Sequence, residues 1–275
     1  MGRYGAYDLY IAPLVRDYAV SLPMLGFWFA LQWMLAVLYT RLLGDVFTRL
    51  TRQLRQEVVV RTVSALNGLL MIGAAACFVF NLRVHNFTLA DDFYAEIPGY
   101  RFFRISIVAY FAWDIIVCFV YRWDLLWKVH AIASFLGAYL LSFPFSDYHG
   151  SYFTGMFELS NAPLHISTIM RTLDIKATLP LVLVMEALFA VMFFLIRVLG
   201  GTIVTLSWLK LSCARLVENY NAGGVLLHGE APVLISMLLI VVVQLLQYVW
   251  FVEVVREGAR ILVRMREAWR KPRTD

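Results

Sequence analysis

The feature that most constrains this chain is a succession of continuous apolar runs, each about long enough to cross a bilayer, separated by short polar stretches. A spanning helix needs about 20 mostly apolar residues, because each residue rises 1.5 Å and the hydrocarbon core is about 30 Å thick. Every backbone amide in that solvent must find an internal partner, which leaves helices or closed barrels. The runs are unbroken rather than alternating, so helices are expected. The composition agrees: the 275 residues are 61% hydrophobic and only 16% charged. A soluble domain is about 45–50% apolar and about 25% charged. No polar stretch is long enough for a separate soluble unit, so residues 1–275 read as a single transmembrane domain.

Seven spans are expected, over about 19–41, 58–81, 103–121, 127–144, 150–171, 178–199 and 231–252. Gly200-Gly201 is expected to break the chain after the sixth. The next 16 or so residues, with Lys210 and Arg215, then read as an interfacial or re-entrant amphipathic helix. Basic residues dominate at 41–57, 122–128, 171–176 and the amphipathic tail 254–275, which fall on one side if there are seven spans. The loops at 82–104 and 145–150 fall on the other, and Arg197, Lys210 and Arg215 stand as exceptions. The 82–104 loop holds a glycosylation sequon, Asn86-Phe87-Thr88, set close to the membrane.

Function is concentrated in residues 113–171, where Asp114, His130, Glu158, Asn161 and His165 interrupt apolar segments. An ionisable group in a bilayer costs about 2–3 kcal/mol even on lenient scales, so such groups face a protein interior or a wet cavity. Glu158, Asn161 and His165 are spaced i, i+3 and i+7 and share a helical face. The fifth span is the least hydrophobic, which requires other helices around it, and Pro163 is expected to kink it and free the carbonyl of residue 159. Asp114 needs a partner, for which Arg61 and His130 are candidates. Asp124 and Lys128 read as a surface pair, His149 as a loop residue, and Glu186 is alone in its span. The polar group reads as interhelical glue, as a lipid-headgroup pocket, or as acid/base machinery built on His130 with Glu158. Cys77, Cys118 and Cys213 are widely separated and read as buried thiols. No metal-like His/Cys cluster, phosphate loop or nucleophile elbow is present, and no nucleic-acid partner is expected.

Two phrases, Trp123-Asp124-Leu125-Leu126-Trp127-Lys128-Val129-His130 and Phe157-Glu158-Leu159-Ser160-Asn161-Ala162-Pro163-Leu164, follow Asp114 in order. Together these motifs resemble the TLC-domain superfamily, which includes ceramide synthases and translocating-chain-associated membrane proteins. The likeness covers about 57–253, leaving the 19–41 span and the tail outside it. It implies an all-α polytopic fold in which six of the seven transmembrane helices ring a central cavity open towards one leaflet. Where synthases carry two adjacent histidines, this chain has Val129-His130. Their His-Asp pair with a second Asp becomes Phe157-Glu158 with Asn161. The departures argue against synthase activity. The expected function is that of a non-catalytic lipid-binding subunit of a membrane assembly, with a bound phospholipid and protein partners. The alternatives are an acyltransferase using acyl-CoA with His130 and Glu158, or a stand-alone lipid-handling or cargo protein. The resemblance implies the endoplasmic reticulum; a subunit in the mitochondrial inner membrane is the alternative.

Overall fold

The computed structural model describes residues 5–85, 92–142, 145–174 and 179–270, and among these the chain is helical with no strand. Seven rods carry the described fold. They are α1 (Ala12–Leu43), α2 (Arg52–Val84), α3 (Arg101–Val120), α4 (Leu125–Leu140), α5 (147–173), α6 (Leu179–Ala222) and α7 (Ala231–Arg270). Five of them, counting α1 together with the short helix before it, are long and apolar enough to cross a membrane; α4 is a shorter apolar helix. The sequon at 86–88 lies outside the described residues.

Local chemistry starts these rods where the sequence allows. The Thr51 side chain accepts from the Leu54 amide at 3.3 Å, capping α2. The Asp124 carboxylate accepts from the Trp127 amide at 3.1 Å, capping α4. Asp124 is therefore a cap rather than half of a surface pair, and the Lys128 ammonium lies 5.6 Å from the centre of the Phe119 ring.

Six rods close a ring in the order α2, α3, α4, α7, α6, α5 and back to α2. The seventh, α1, lies outside it across α2 and α3. Polar contacts suited to hydrocarbon tie α1 down. The Gln32 amide donates to the Tyr121 hydroxyl at 2.7 Å and accepts from the Trp113 indole at 2.8 Å. The Tyr39 and Thr62 hydroxyls are 2.7 Å apart. At its other end Asp17 accepts from Arg101 at 2.7 Å.

The polar rod α5 sits as its composition requires, with most of its first half buried among its neighbours. Its start is a short helix, Asp147–Ser151, that holds His149 inside the protein rather than in a loop. His149 lies 2.8 Å from the Ser146 hydroxyl and 3.2 Å from that of Ser207. Beside it, the buried pair of Arg104 and Asp147 closes at 2.5 Å. A π-helical turn, Tyr152–Met156, then presses Gly155 onto α2. The interruption further along falls at Ser160, and the carbonyl put to use is that of Phe157 rather than residue 159.

The expected break at Gly200-Gly201 does not occur. A π-helical segment, Phe193–Gly200, runs directly into Gly201–Ala222, and Gly200 is helical at φ −62° and ψ −43°. Breaking a helix inside hydrocarbon exposes amides that nothing can satisfy. The two glycines instead admit close packing. A Cβ on Gly200 would lie 1.9 Å from the Tyr152 hydroxyl, and one on Gly201 would lie 2.8 Å from Gln244 Oε1. The residues from 201 onward thus continue a 44-residue rod and form no separate interfacial helix.

Contacts at either end of α6 measure the bundle. Glu186 pairs with Arg171 of α5, which gives it the partner its sequence position lacked. Ser207 meets His149 at the far end. The 21 residues between them rise about 31 Å, the thickness of a hydrocarbon core. Past Ser207, α6 stays packed through Trp208, Leu211 and Leu216 against Phe93, Phe145, Leu226 and Val233, whereas the end of α7 is exposed from Val255 to Arg260. Among the cysteines Cys118 is buried and Cys77 half-buried, but Cys213 is exposed on the last part of α6.

Tight packing at Gly155 has a measurable consequence. A Cβ there would lie 2.3 Å from the Ala75 amide nitrogen and 2.8 Å from its Cα, which are backbone atoms that cannot rotate away. Gly155→Ala should lower stability by about 1–3 kcal/mol in a detergent unfolding experiment. Gly26→Ala, whose Cβ meets nothing within 4 Å, should not.

Candidate functional site

The ring encloses a chamber of about 200 Å³ to which all six of its rods contribute, among them Ser64, Asp114, His130, Glu158, Arg197 and Trp250. Beyond the level of His130, Glu158 and Arg197 it narrows into a slot of about 70 Å³ walled mainly by small and apolar side chains such as Ala133, Gly137, Leu239 and Val243. Towards the basic end, Trp123 and Trp127 separate the chamber from a polar vestibule of about 440 Å³ that includes Gln53, Glu57, Arg61, Arg122 and Asp124. An aqueous mouth, a polar waist and an apolar slot thus follow one another along the ring axis.

At the waist stands Arg197, buried at 5% exposure. Its Nη2 donates to the Phe157 carbonyl at 2.7 Å and to Asn161 Oδ1 at 2.8 Å. Its Nε donates to the Ser160 hydroxyl at 2.7 Å, and its Nη1 donates to Gln247 Oε1 at 3.0 Å. The guanidinium carbon also lies 5.1 and 5.6 Å from the ring centres of Phe157 and Phe193. No carboxylate among the described residues comes within 4.0 Å of it, so its charge reaches a partner through Asn161. The Asn161 amide donates at 3.0 Å to Glu158 Oε2, which accepts a second bond from Asn67 at 3.0 Å. A buried charge is tolerated when its donors are met in this way. The network joins α2, α5, α6 and α7 in one unit.

Glu158, Asn161 and His165, expected on one helical face, all line the chamber, and Asp114 and His130 join them there. They do not form one hydrogen-bonded cluster. Arg61 is taken by Glu57 at 2.7 Å, and Asp114 contacts the Cys118 thiol at 3.8 Å rather than Arg61 or His130. His130 stands between the rings of Phe111, Trp127 and Trp250, the last 5.2 Å away centre to centre. Its Nδ1 is 3.5 Å from the Ser134 hydroxyl one turn along. Among the described residues no carboxylate hydrogen-bonds to it. His165 has a buried Nδ1 with no partner, facing the same chamber.

Sequence reasoning missed Arg197, Asn67, Gln247 and the Trp127–Trp250 stack, whose rings are 5.2 Å apart. Arg197 carried a usable signal as a cation deep in an apolar run. The expected break at Gly200 put it at a span end, where it stood only as an exception to the placement of basic residues on one side. Removing this cation leaves several buried acceptors unmet. Arg197→Met should lower stability by about 3–5 kcal/mol, read as loss of the folded fraction in detergent, with Arg197→Lys intermediate.

The family model described as the TLC domain matches residues 57–256. No curated protein and no solved structure matches the chain. The match takes in 200 of the 275 residues, reaches into every ring rod and covers all the residues that line the chamber. The chain is an integral membrane protein belonging to the TLC-domain family.

Proposed function

We propose that this protein holds a lipid inside its helical ring, performs no chemistry on it, and serves as a structural or accessory subunit of a membrane assembly. The observation that carries the reading is the state of the two groups an enzyme would need. His130 is caged by aromatic rings with no carboxylate to orient it, and the Glu158 Oε2 is occupied by Asn67 and Asn161. General-base catalysis requires a positioned, oriented group. The order of polarity, a polar waist and then an apolar slot, matches that of the head and chain of an amphiphile such as a phospholipid. The exposed residues 255–260 near the end of α7 give a surface on which a partner protein can dock. Family resemblance favours the endoplasmic reticulum as the compartment, with the mitochondrial inner membrane as the alternative.

An acyltransferase reading draws on one observation, that His130 and Glu158 line both the chamber and the slot. Native mass spectrometry after purification in mild detergent separates the two. The expected result is a chain carrying one lipid and travelling with stoichiometric partner proteins. Gly137→Phe, placed where a Cβ meets nothing and the slot is open, should lower lipid occupancy about tenfold or more, since 1.4 kcal/mol of lost contact suffices. His130→Ala should keep a lipid of unchanged mass. A different lipid mass in His130→Ala, substrate in place of product, would establish the enzyme.

A further inference from the structure

Outside the ring, α1 lies across α2 and α3 without filling the angle between them. The space left is a groove of about 530 Å³, lined by Phe29, Gln32, Trp33, Ala36 and Thr40 of α1 and by residues of α2 and α3. Its walls are apolar: Trp33, Ile116 and Val120 expose 69%, 43% and 66% of their surface. Gln32 offers little to a ligand there, because its amide is already bonded to Trp113 and Tyr121. From Thr40 to Phe29 the groove follows 11 residues of α1, about 16 Å, which is the depth of one leaflet's hydrocarbon.

The end level with the basic loops differs in kind. Arg55 and Gln56 line the groove there, and Arg55 is half-buried. Among the described residues its side chain makes one long hydrogen bond, Nη1 to the Thr48 carbonyl at 3.5 Å. No carboxylate among the described residues lies within 4.0 Å of it, and the nearby Glu57 is held by Arg61. Arg41, Arg49 and Arg52 are exposed close by in sequence. A surface groove in a bilayer is filled by whatever the bilayer supplies, and here an unpaired cation caps an apolar trough one leaflet deep. We infer that this groove is a binding site for an anionic glycerophospholipid of the leaflet on the basic side, with its phosphate at Arg55 and an acyl chain along Trp33, Ala36 and Ile116. Such a lipid would mortar α1, which lies outside the family match, onto the ring.

The test uses the full chain in lipid nanodiscs of mixed phosphatidylglycerol and phosphatidylcholine, with retained lipids weighed by native mass spectrometry. The wild-type protein should retain phosphatidylglycerol about five- to tenfold over phosphatidylcholine, the scale of one favourable basic contact. Arg55→Gln should remove the preference, whereas Arg49→Gln should keep most of it. Ala36→Phe should fill the trough and remove the lipid itself. Should that variant fold poorly, the half-exposed Arg55 decides alone. No preference in the wild type, as expected if a partner helix occupies the groove, would overturn the inference. Equal losses in Arg49→Gln and Arg55→Gln would also overturn it, because they mark diffuse surface attraction. Gly137→Phe acts inside the ring and should leave the groove lipid in place, so failure of either lipid site is seen separately.

Discussion

A guanidinium held in the middle of a bilayer protein is the constraint on which the rest of this architecture turns. Left unmet, the charge would cost several kcal/mol, so the fold must bring acceptors from several directions to one point. It does so with a carbonyl, a hydroxyl and two amide oxygens from two segments of the chain far apart in sequence, residues 157–161 and Gln247. Three of those acceptors, Phe157, Ser160 and Asn161, belong to the phrase 157–164 that carries the family resemblance. The motif is thus at least partly architectural in this chain. Its glutamate balances the arginine through an asparagine, and both line the space that the ring encloses.

That arrangement bears on the choice between chemistry and binding. In a proton-transfer site the base is free to change its protonation and its partner; here the carboxylate is bonded to two amides. The histidine offers its nearest polar neighbour only a long contact from its own helix. What the ring provides is graded polarity, from a polar mouth through a charged waist to an apolar slot. A gradient of that kind is the basis of the proposed binding of an amphiphile.

Much of the fold was legible because hydrocarbon thickness and backbone satisfaction leave few choices. The helical rods, the burial of the polar fifth rod among its neighbours and the chamber face of Glu158, Asn161 and His165 follow from periodicity and composition. What was not legible depended on tertiary approach. Gly200-Gly201 carries the same letters whether it ends a helix or admits a neighbouring tyrosine, and only the position of Tyr152 decides. Misreading those glycines moved the apparent end of the sixth span next to Arg197 and hid its role. Asp124 likewise looked like half of an ion pair because i, i+4 spacing is visible in sequence, whereas a cap geometry is not. The partners of Glu158 were partly foreseeable: Asn161 lies on the same face, but Asn67 is 91 residues away.

The two π-helical turns, Tyr152–Met156 and Phe193–Gly200, lie on neighbouring rods, and the second carries Arg197 itself. A π turn is an α-helix with an extra residue accommodated in its winding. Each turn of an α-helix takes 3.6 residues, so one residue more or less rotates everything beyond it by about 100°. The wide turn in α6 carries Arg197 at the waist, in line with Gly201, Thr205 and Trp208 on the buried face of the same rod. In this family a one-residue gap or insertion near such a turn would be a change of rotational phase, able to turn a polar waist into an apolar one without substituting a single side chain.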